Sequence, residues 1–170
     1  FTAAATIDGQ RSGANWNVGG GWNDGTPWVF QDWVQVNFNG QKTIDHVVVF
    51  TLQDNYATPV EPSNTMTFSK YGITAFQVQG WNGTAWITLG SVSGNNLVKR
   101  TVSFASFATD RIRIQATGAL ASYSRITEIE AFHRARLDKV RALCAVPKTT
   151  AEISHDLFGA QAGYGRLLAL

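Results

Sequence analysis

A chain of 170 residues and 18.5 kDa has room for one domain with a full core plus a short appendage, which excludes a multidomain enzyme. Charged residues make up 15%, hydrophobic ones 44%, and 16 glycines accompany six tryptophans, so the composition excludes a disordered chain and describes a turn-rich, aromatic-rich fold. The net charge of +2 is uneven: residues 1–133 carry eight Lys/Arg against nine Asp/Glu, a balance of −1, whereas residues 134–170 carry six against three, a balance of +3. The main domain therefore lacks the basic footprint of a nucleic-acid binder, and an uncharged partner is expected.

Residues 1–32 read as loop, broken by Gly9, Gly13, Gly19-Gly20-Gly21 and Asn23-Asp24-Gly25, yet they hold Trp16, Trp22, Trp28 and Phe30. A loop that rich in aromatics is packed down or used for contact. Val34, Val36 and Phe38 alternate with Gln35 and Asn37, and Asn39-Gly40 predicts a hairpin turn into the strand Thr43 to Phe50. Residues 53–72, with Pro59 and Pro62, form the longest interruption and read as a functional loop. A second hairpin is predicted from Ala75 to Trp81, through Asn82-Gly83, to Ala85–Leu89. Asn82-Gly83-Thr84 also satisfies the glycosylation sequon, but the turn accounts for it. Val98 to Phe104, Arg111 to Gln115 and Ile126 to Phe132 complete the strands, so an antiparallel sandwich or barrel is expected up to residue 133.

From Arg134 the pattern turns helical. Leu137, Val140, Arg141 and Cys144 fall at helical spacing, Pro147 stops the run, and Thr149-Thr150-Ala151-Glu152 reads as the start of a second helix to Phe158. Residues 134–170 are thus expected to be a helical tail, a docking segment that needs a neighbour to bury its apolar face. Cys144 is the only cysteine, so no intrachain disulfide forms.

Two acidic patches flank the β-rich stretch, Ile7-Asp8-Gly9 and Thr127-Glu128-Ile129-Glu130. A sandwich whose first and last segments meet would bring Asp8 and Glu128 together. Two carboxylates with loop carbonyls suit calcium, which takes six to eight oxygens, and no His or Cys stands nearby to suit zinc. The competing reading is a turn carboxylate and a surface strand charge.

The blocks Ala5-Thr6-Ile7-Asp8-Gly9 with Asn15-Trp16, Asp32-Trp33-Val34-Gln35-Val36-Asn37-Phe38, Thr43 to Val49, Phe76-Gln77-Val78-Gln79 leading to Trp81-Asn82-Gly83-Thr84-Ala85-Trp86, Arg111-Ile112-Arg113-Ile114 and Ser124 to Phe132 carry a resemblance. In their order and spacing, residues 3–133 resemble a discoidin domain, the coagulation factor V/VIII C-type fold that includes carbohydrate-binding module family 32. The resemblance implies an eight-stranded jelly-roll sandwich with a structural calcium and a binding surface of rim loops. Carried over by position, the ion takes the carboxylates of Asp8 and Glu128, the carbonyls of Ala5 and Thr127, and an oxygen from the loop Gln10 to Asn15. The match is poorest in that loop, where Ala14-Asn15 stands in place of the family's Thr.

Sugar binding needs an aromatic face for the apolar side of a pyranose, with planar polar groups beside it for the hydroxyls. Trp22, Trp28, Phe30, Tyr56 and Tyr123 are candidates for the face, and Asn23, Asp24, Asp54, Asn55 and Arg125 for the polar contacts. Arg125 has an equal alternative in pairing with Glu61 or Asp54 to pin the long loop. Trp16, Trp33, Trp81 and Trp86 adjoin strand residues and are expected in the core. His46, His133 and His155 make no metal spacing, and no nucleophile elbow, Cys-His pair or phosphate loop occurs, so no enzyme is expected.

These readings converge on a secreted or surface-displayed, calcium-stabilised module for a neutral glycan of galactose type. A structural subunit of a virion, appendage or surface layer, docking through residues 134–170, is the alternative. Lipid binding through Trp28-Val29-Phe30 ranks last because no basic collar surrounds it, and nucleic acid is not an expected partner.

Overall fold

The computed structural model describes residues 1–132 and, beyond them, Glu152 alone; the helical tail and docking expectations for 134–170 lie outside the described residues. Residues Phe1–Phe132 form one compact unit. After two short 3-10 turns, Ala3–Thr6 and Trp16–Val18, come six strands: β1 (Trp22–Asn23), β2 (Trp33–Thr51), β3 (Ile73–Trp81), β4 (Trp86–Val92), β5 (Lys99–Ala119) and β6 (Arg125–Phe132). All pair antiparallel in the order β1-β6-β2-β5-β3-β4. No helix among the described residues is long and apolar enough to cross a membrane.

Six strands stand where eight were implied, because β2 and β5 are each continuous across both halves of the sheet. The first part of β2 pairs with the last part of β5, Val34 with Ile114, whereas its second part pairs with the first part of β5 and with β6, as Val49 does with Arg100 and Ile129. Between these parts the register shifts from Asn37/Arg111 to Lys42/Thr109, so four residues of β2 oppose one of β5. The expected Asn39-Gly40 hairpin is therefore a bulge: the chain does not reverse but continues along the same neighbour. Gly40 supplies a positive φ of 77°, which serves an inserted bulge as well as a turn, and a bulge bends its strand.

Bending lets the two halves share one core. Val34, Phe76, Val78 and Ile114 from one half and Val47, Val49, Ile126 and Ile129 from the other belong to a single buried cluster, the packing of a β-sandwich. Each such side chain contributes roughly 1.5–3 kcal/mol when fully withdrawn from water. The second hairpin forms as expected, Trp81 opposite Trp86, with the Asn82 Oδ1 accepting from the amides of Thr84 and Ala85 and from the Thr84 hydroxyl.

Alternation along β2, β3, β4 and β5 sends a polar set of side chains to the other face. Trp33 aligns with Gln115 and Gln77, Gln35 with Arg113 and Gln79, and Asn37 with Arg111, Trp81 and Trp86. This corrects the core assignment of three tryptophans: Trp33 is 51% exposed and Trp81 and Trp86 are half-buried, and only Trp16, at 7%, lies in the core. Cations lie over their rings, and Trp81 and Trp86 also meet edge-on at 5.5 Å. The Arg113 guanidinium stacks 4.6 Å from the Trp86 centroid and 5.9 Å from that of Trp33, and Arg111 lies over Trp81. Arg113 also donates to Gln79, which donates to Gln77 and Gln115, while Gln115 donates to Gln31. The amides of this face largely satisfy one another.

Candidate functional site

The amino-terminal segment is fastened to β6 and to the long loop. Thr127 Oγ1 donates to the Arg11 carbonyl, Gln53 Nε2 donates to the carbonyls of Ser12 and Val60, and Gly21 lies flat against Ile126 and the Trp16 ring. This brings Asp8 to Glu128 across 120 positions of sequence. The Gly9 amide donates to Glu128 Oε2 at 3.1 Å, and Asp8 Oδ1 accepts from the Gln10 amide at 2.9 Å. Glu128 is only 4% exposed. Burial pushes its carboxyl up to about 7, the charges of Asp8 and Glu130 add to the rise, and the Gly9 amide and Arg11 oppose it.

Arg11 does not neutralise this pair, for its hydrogen bonds go to Glu130 and Glu61. A desolvated carboxylate beside a second carboxylate is the donor chemistry that a hard cation relieves. Among the described residues no three His, Cys, Asp or Glu side chains converge, so an ion here would complete its shell with backbone, amide or solvent oxygens. Ala5 lies in the first 3-10 turn, and Gln10 and Asn15 bound the exposed loop between the two turns. The Asn15 carbonyl is occupied by the amides of Val18 and Gly20.

A second cluster forms at the rim where β6 begins. Arg125 donates from its two terminal nitrogens to the carbonyls of Leu120, Ala121 and Tyr123, and its guanidinium lies over the rings of Tyr71 and Tyr123 at 5.6 and 5.3 Å. It pairs with neither Glu61 nor Asp54: its hydrogen bonds pin the 120–123 loop, and it meets the 53–72 loop only through the Tyr71 ring. Tyr56 meets Tyr71 edge-on at 5.5 Å. Across from Arg125, the Trp28 amide donates to the Ser122 carbonyl, and the Trp28 indole is 69% exposed beside exposed Val29. The non-glycine residues of positive φ among those described are Trp28, Gln31, Ala121 and Ser122, all in these two facing loops. Left-handed backbone at side-chain-bearing residues is costly and concentrates where a loop must present its groups in a fixed way.

The other expected contacts are distributed unevenly. Trp22 packs against the core and Phe30 is half-buried. Asn23 is tied to the Asp24 carbonyl. Asp54 is occupied by the Ser69 amide and hydroxyl and the Lys70 amide; against the effect of burial, these bonds and the Tyr71 amide hold its carboxyl below the usual range. Asn55 closes a turn on Thr58. Asp24 is 6% exposed and faces inward, away from any rim ligand. Burial, then the adjoining Asp32 carboxyl, pushes Asp24 up to about 6. Sequence reasoning missed Tyr71, Asp32 and Ser124, which no spacing links to Arg125 or Asp24.

No protein-family model matches the chain, and no curated protein matches it in sequence. Solved structures do match its fold. A chitosan-binding module in complex with chitotriose, from a chitosanase/glucanase of Paenibacillus sp. IK-5, is 17% identical with a TM-score of 0.57, covering 77% of this chain and 86% of that one. The family 32 carbohydrate-binding module of NanJ from C. perfringens, in complex with galactose, is 18% identical with a TM-score of 0.51, covering 76% and 82%. A further family 32 module from Clostridium perfringens, in complex with GalNAc-beta-1,3-galactose, is 13% identical with a TM-score of 0.54, covering 75% and 80%. These likenesses define the class: residues 1–132 have the discoidin-like fold of family 32 and chitosan-binding modules.

Proposed function

We propose that the chain is a non-catalytic glycan-binding module of a secreted or surface-displayed protein, stabilised by calcium and directed at a neutral sugar of galactose type. The observation that carries this reading is the rim, where the loop of exposed Trp28 is hydrogen-bonded to Ser122, next in the chain to Tyr123 of the Tyr56–Tyr71–Arg125–Tyr123 cluster. The exposed indole offers a face for the C–H side of a pyranose, and the tyrosine hydroxyls offer donors and acceptors beside it. That neighbours of the same fold hold galactose, chitotriose and a galactosaminide supports a sugar as the occupant.

Calcium belongs to the same reading through Asp8 and Glu128. Glu128 stands three residues along β6 from Arg125, about 10 Å at strand rise. An ion there clamps the strand that supports the rim. A glycan array read with wild type, Trp28→Ala and Tyr56→Ala tests the binding: galactose-terminated glycans are retained by wild type and lost in both variants. Equal retention by wild type and both variants contradicts the rim assignment.

A further inference from the structure

The loop 24–32 closes on itself at its base. At one end the Asp24 amide donates to the Ser124 carbonyl; at the other the Gln31 amide donates to Ala116 and the Asp32 carbonyl accepts from the Ala116 amide. These anchors place the Asp32 carboxyl close enough to that of Asp24 to help push it up, while the Ser124 amide and the Arg125 charge act against the rise. Thr26 donates to Asp32 Oδ1 at 3.1 Å. Both Asp24 oxygens and Asp32 Oδ2 are buried and without a hydrogen-bond partner. Two ionised carboxylates have no proton to offer each other, and their mutual repulsion grows as water is withdrawn.

Ser124 supplies an independent observation. It is 0% exposed, and its Oγ is also buried without a partner. The antiparallel register Trp22/Ile126 and Asn23/Arg125 continues to Asp24 opposite Ser124, and directly opposed residues project from the same face. The unpartnered hydroxyl thus points to the side on which the Asp24 carboxylate lies. Arg125 acts on Asp24 through its charge alone, for its terminal N–H groups go to the carbonyls of Leu120, Ala121 and Tyr123. Buried polar atoms are almost always satisfied, so four orphaned oxygens on one patch mark a missing ligand.

We infer that Asp24, Asp32 and Ser124 form an oxygen-lined site for a divalent cation at the base of the 24–32 loop, separate from the Asp8–Glu128 pair. Two carboxylates and a hydroxyl in irregular backbone suit calcium better than magnesium, which demands near-octahedral geometry and keeps its water. An ion there ties both ends of the loop that presents Trp28 and Val29.

The test counts calcium bound per full-length chain after chelation and dialysis into calcium. In a Glu128→Gln background, which removes the other carboxylate pair, one ion is retained, and adding Asp24→Asn or Asp32→Asn removes it. The amides keep the shape and discharge a buried repulsion, so thermal midpoints in chelator should hold or rise, showing that lost binding is not lost fold. Ser124→Ala, which keeps both carboxylates, lowers calcium affinity several-fold with an unchanged midpoint in chelator. No ion in the Glu128→Gln chain, or equal uptake with and without Asp24→Asn, overturns the site. So does a carboxyl proton shared by Asp24 and Asp32 that persists in carbon-13 spectra at saturating calcium.

Discussion

Glu128 carries its burial as a stored electrostatic cost. Its carboxyl stands near 7 in the folded chain against an ordinary 4.5, so without metal the fold binds a proton more tightly than the unfolded chain does. That contribution is fully present below about 4.5 and is lost as pH rises through about 7, an effect on the order of 3 kcal/mol. Chelated protein is therefore expected to melt higher at pH 5 than at pH 8, and Glu128→Gln in chelator should reduce this difference, leaving the share of Asp24, whose carboxyl is pushed up to about 6. The calcium proposed at Asp8 and Glu128 requires the ionised carboxylate, so its stabilising effect is expected to have the opposite slope and to grow toward pH 8; Glu128→Gln should lose the share that comes from this pair. Calorimetric melts across pH with and without calcium check both signs. Glycine positions give a second residue-scale contrast. Gly40 has open space around a would-be Cβ and only its φ of 77° to lose, so Gly40→Ala should cost about 1 kcal/mol. At Gly21 an added Cβ would sit 2.7 Å from the Ile126 carbonyl oxygen and 2.9 Å from the Trp16 ring as well as at φ 106°, so Gly21→Ala should cost clearly more in the same denaturation series.

At the scale of elements, one carboxylate joins the two ends of the long loop 53–72. Asp54 accepts from the Ser69 amide and hydroxyl and from the Lys70 amide, joining the two ends of the loop. Asp54→Ala leaves those donors without their charged acceptor and should cost about 1–3 kcal/mol. It should also raise hydrogen exchange at Ser69 and Lys70 selectively; unchanged exchange there would contradict the fastening role. Strand content was legible in the sequence because alternation and turn residues carry it: Ile73–Trp81 and Trp86–Val92 match the expected hairpin closely. The other Asn-Gly misled because positive φ is compatible with reversal and with bulging alike, and only the partner strand decides. Trp33, Trp81 and Trp86 misled for a related reason. Alternation assigns them to one face but does not say which face is buried, and here the arginines of β5 take the place of a second apolar layer.

At the scale of the whole molecule, the contact between the first loop and the last strand was legible, since Asp8 and Glu128 frame a chain of strands and the Gly9 amide does reach Glu128. The rim was legible only in part. Aromatic loop composition pointed to Trp28, Tyr56 and Tyr123, but Tyr71 and the Asp24–Asp32 pair arise from chain closure that no local spacing encodes. Two surfaces of this fold present aromatic and polar groups together: the rim around Trp28 and Arg125, and the sheet face of Trp33, Trp81 and Trp86. The side-chain amides and guanidinium of the sheet face are engaged with one another, and Trp28 is more open to solvent than Trp33, so the rim is the surface proposed for a sugar. The most direct test is a titration of isotope-labelled, calcium-loaded chain with galactose followed by nuclear magnetic resonance. Shifts confined to Trp28, Tyr56, Tyr71, Tyr123 and the arginine side chain at 125 are expected; shifts centred on Trp33, Trp81 and Trp86, or none at saturating sugar, would contradict the rim as the binding surface.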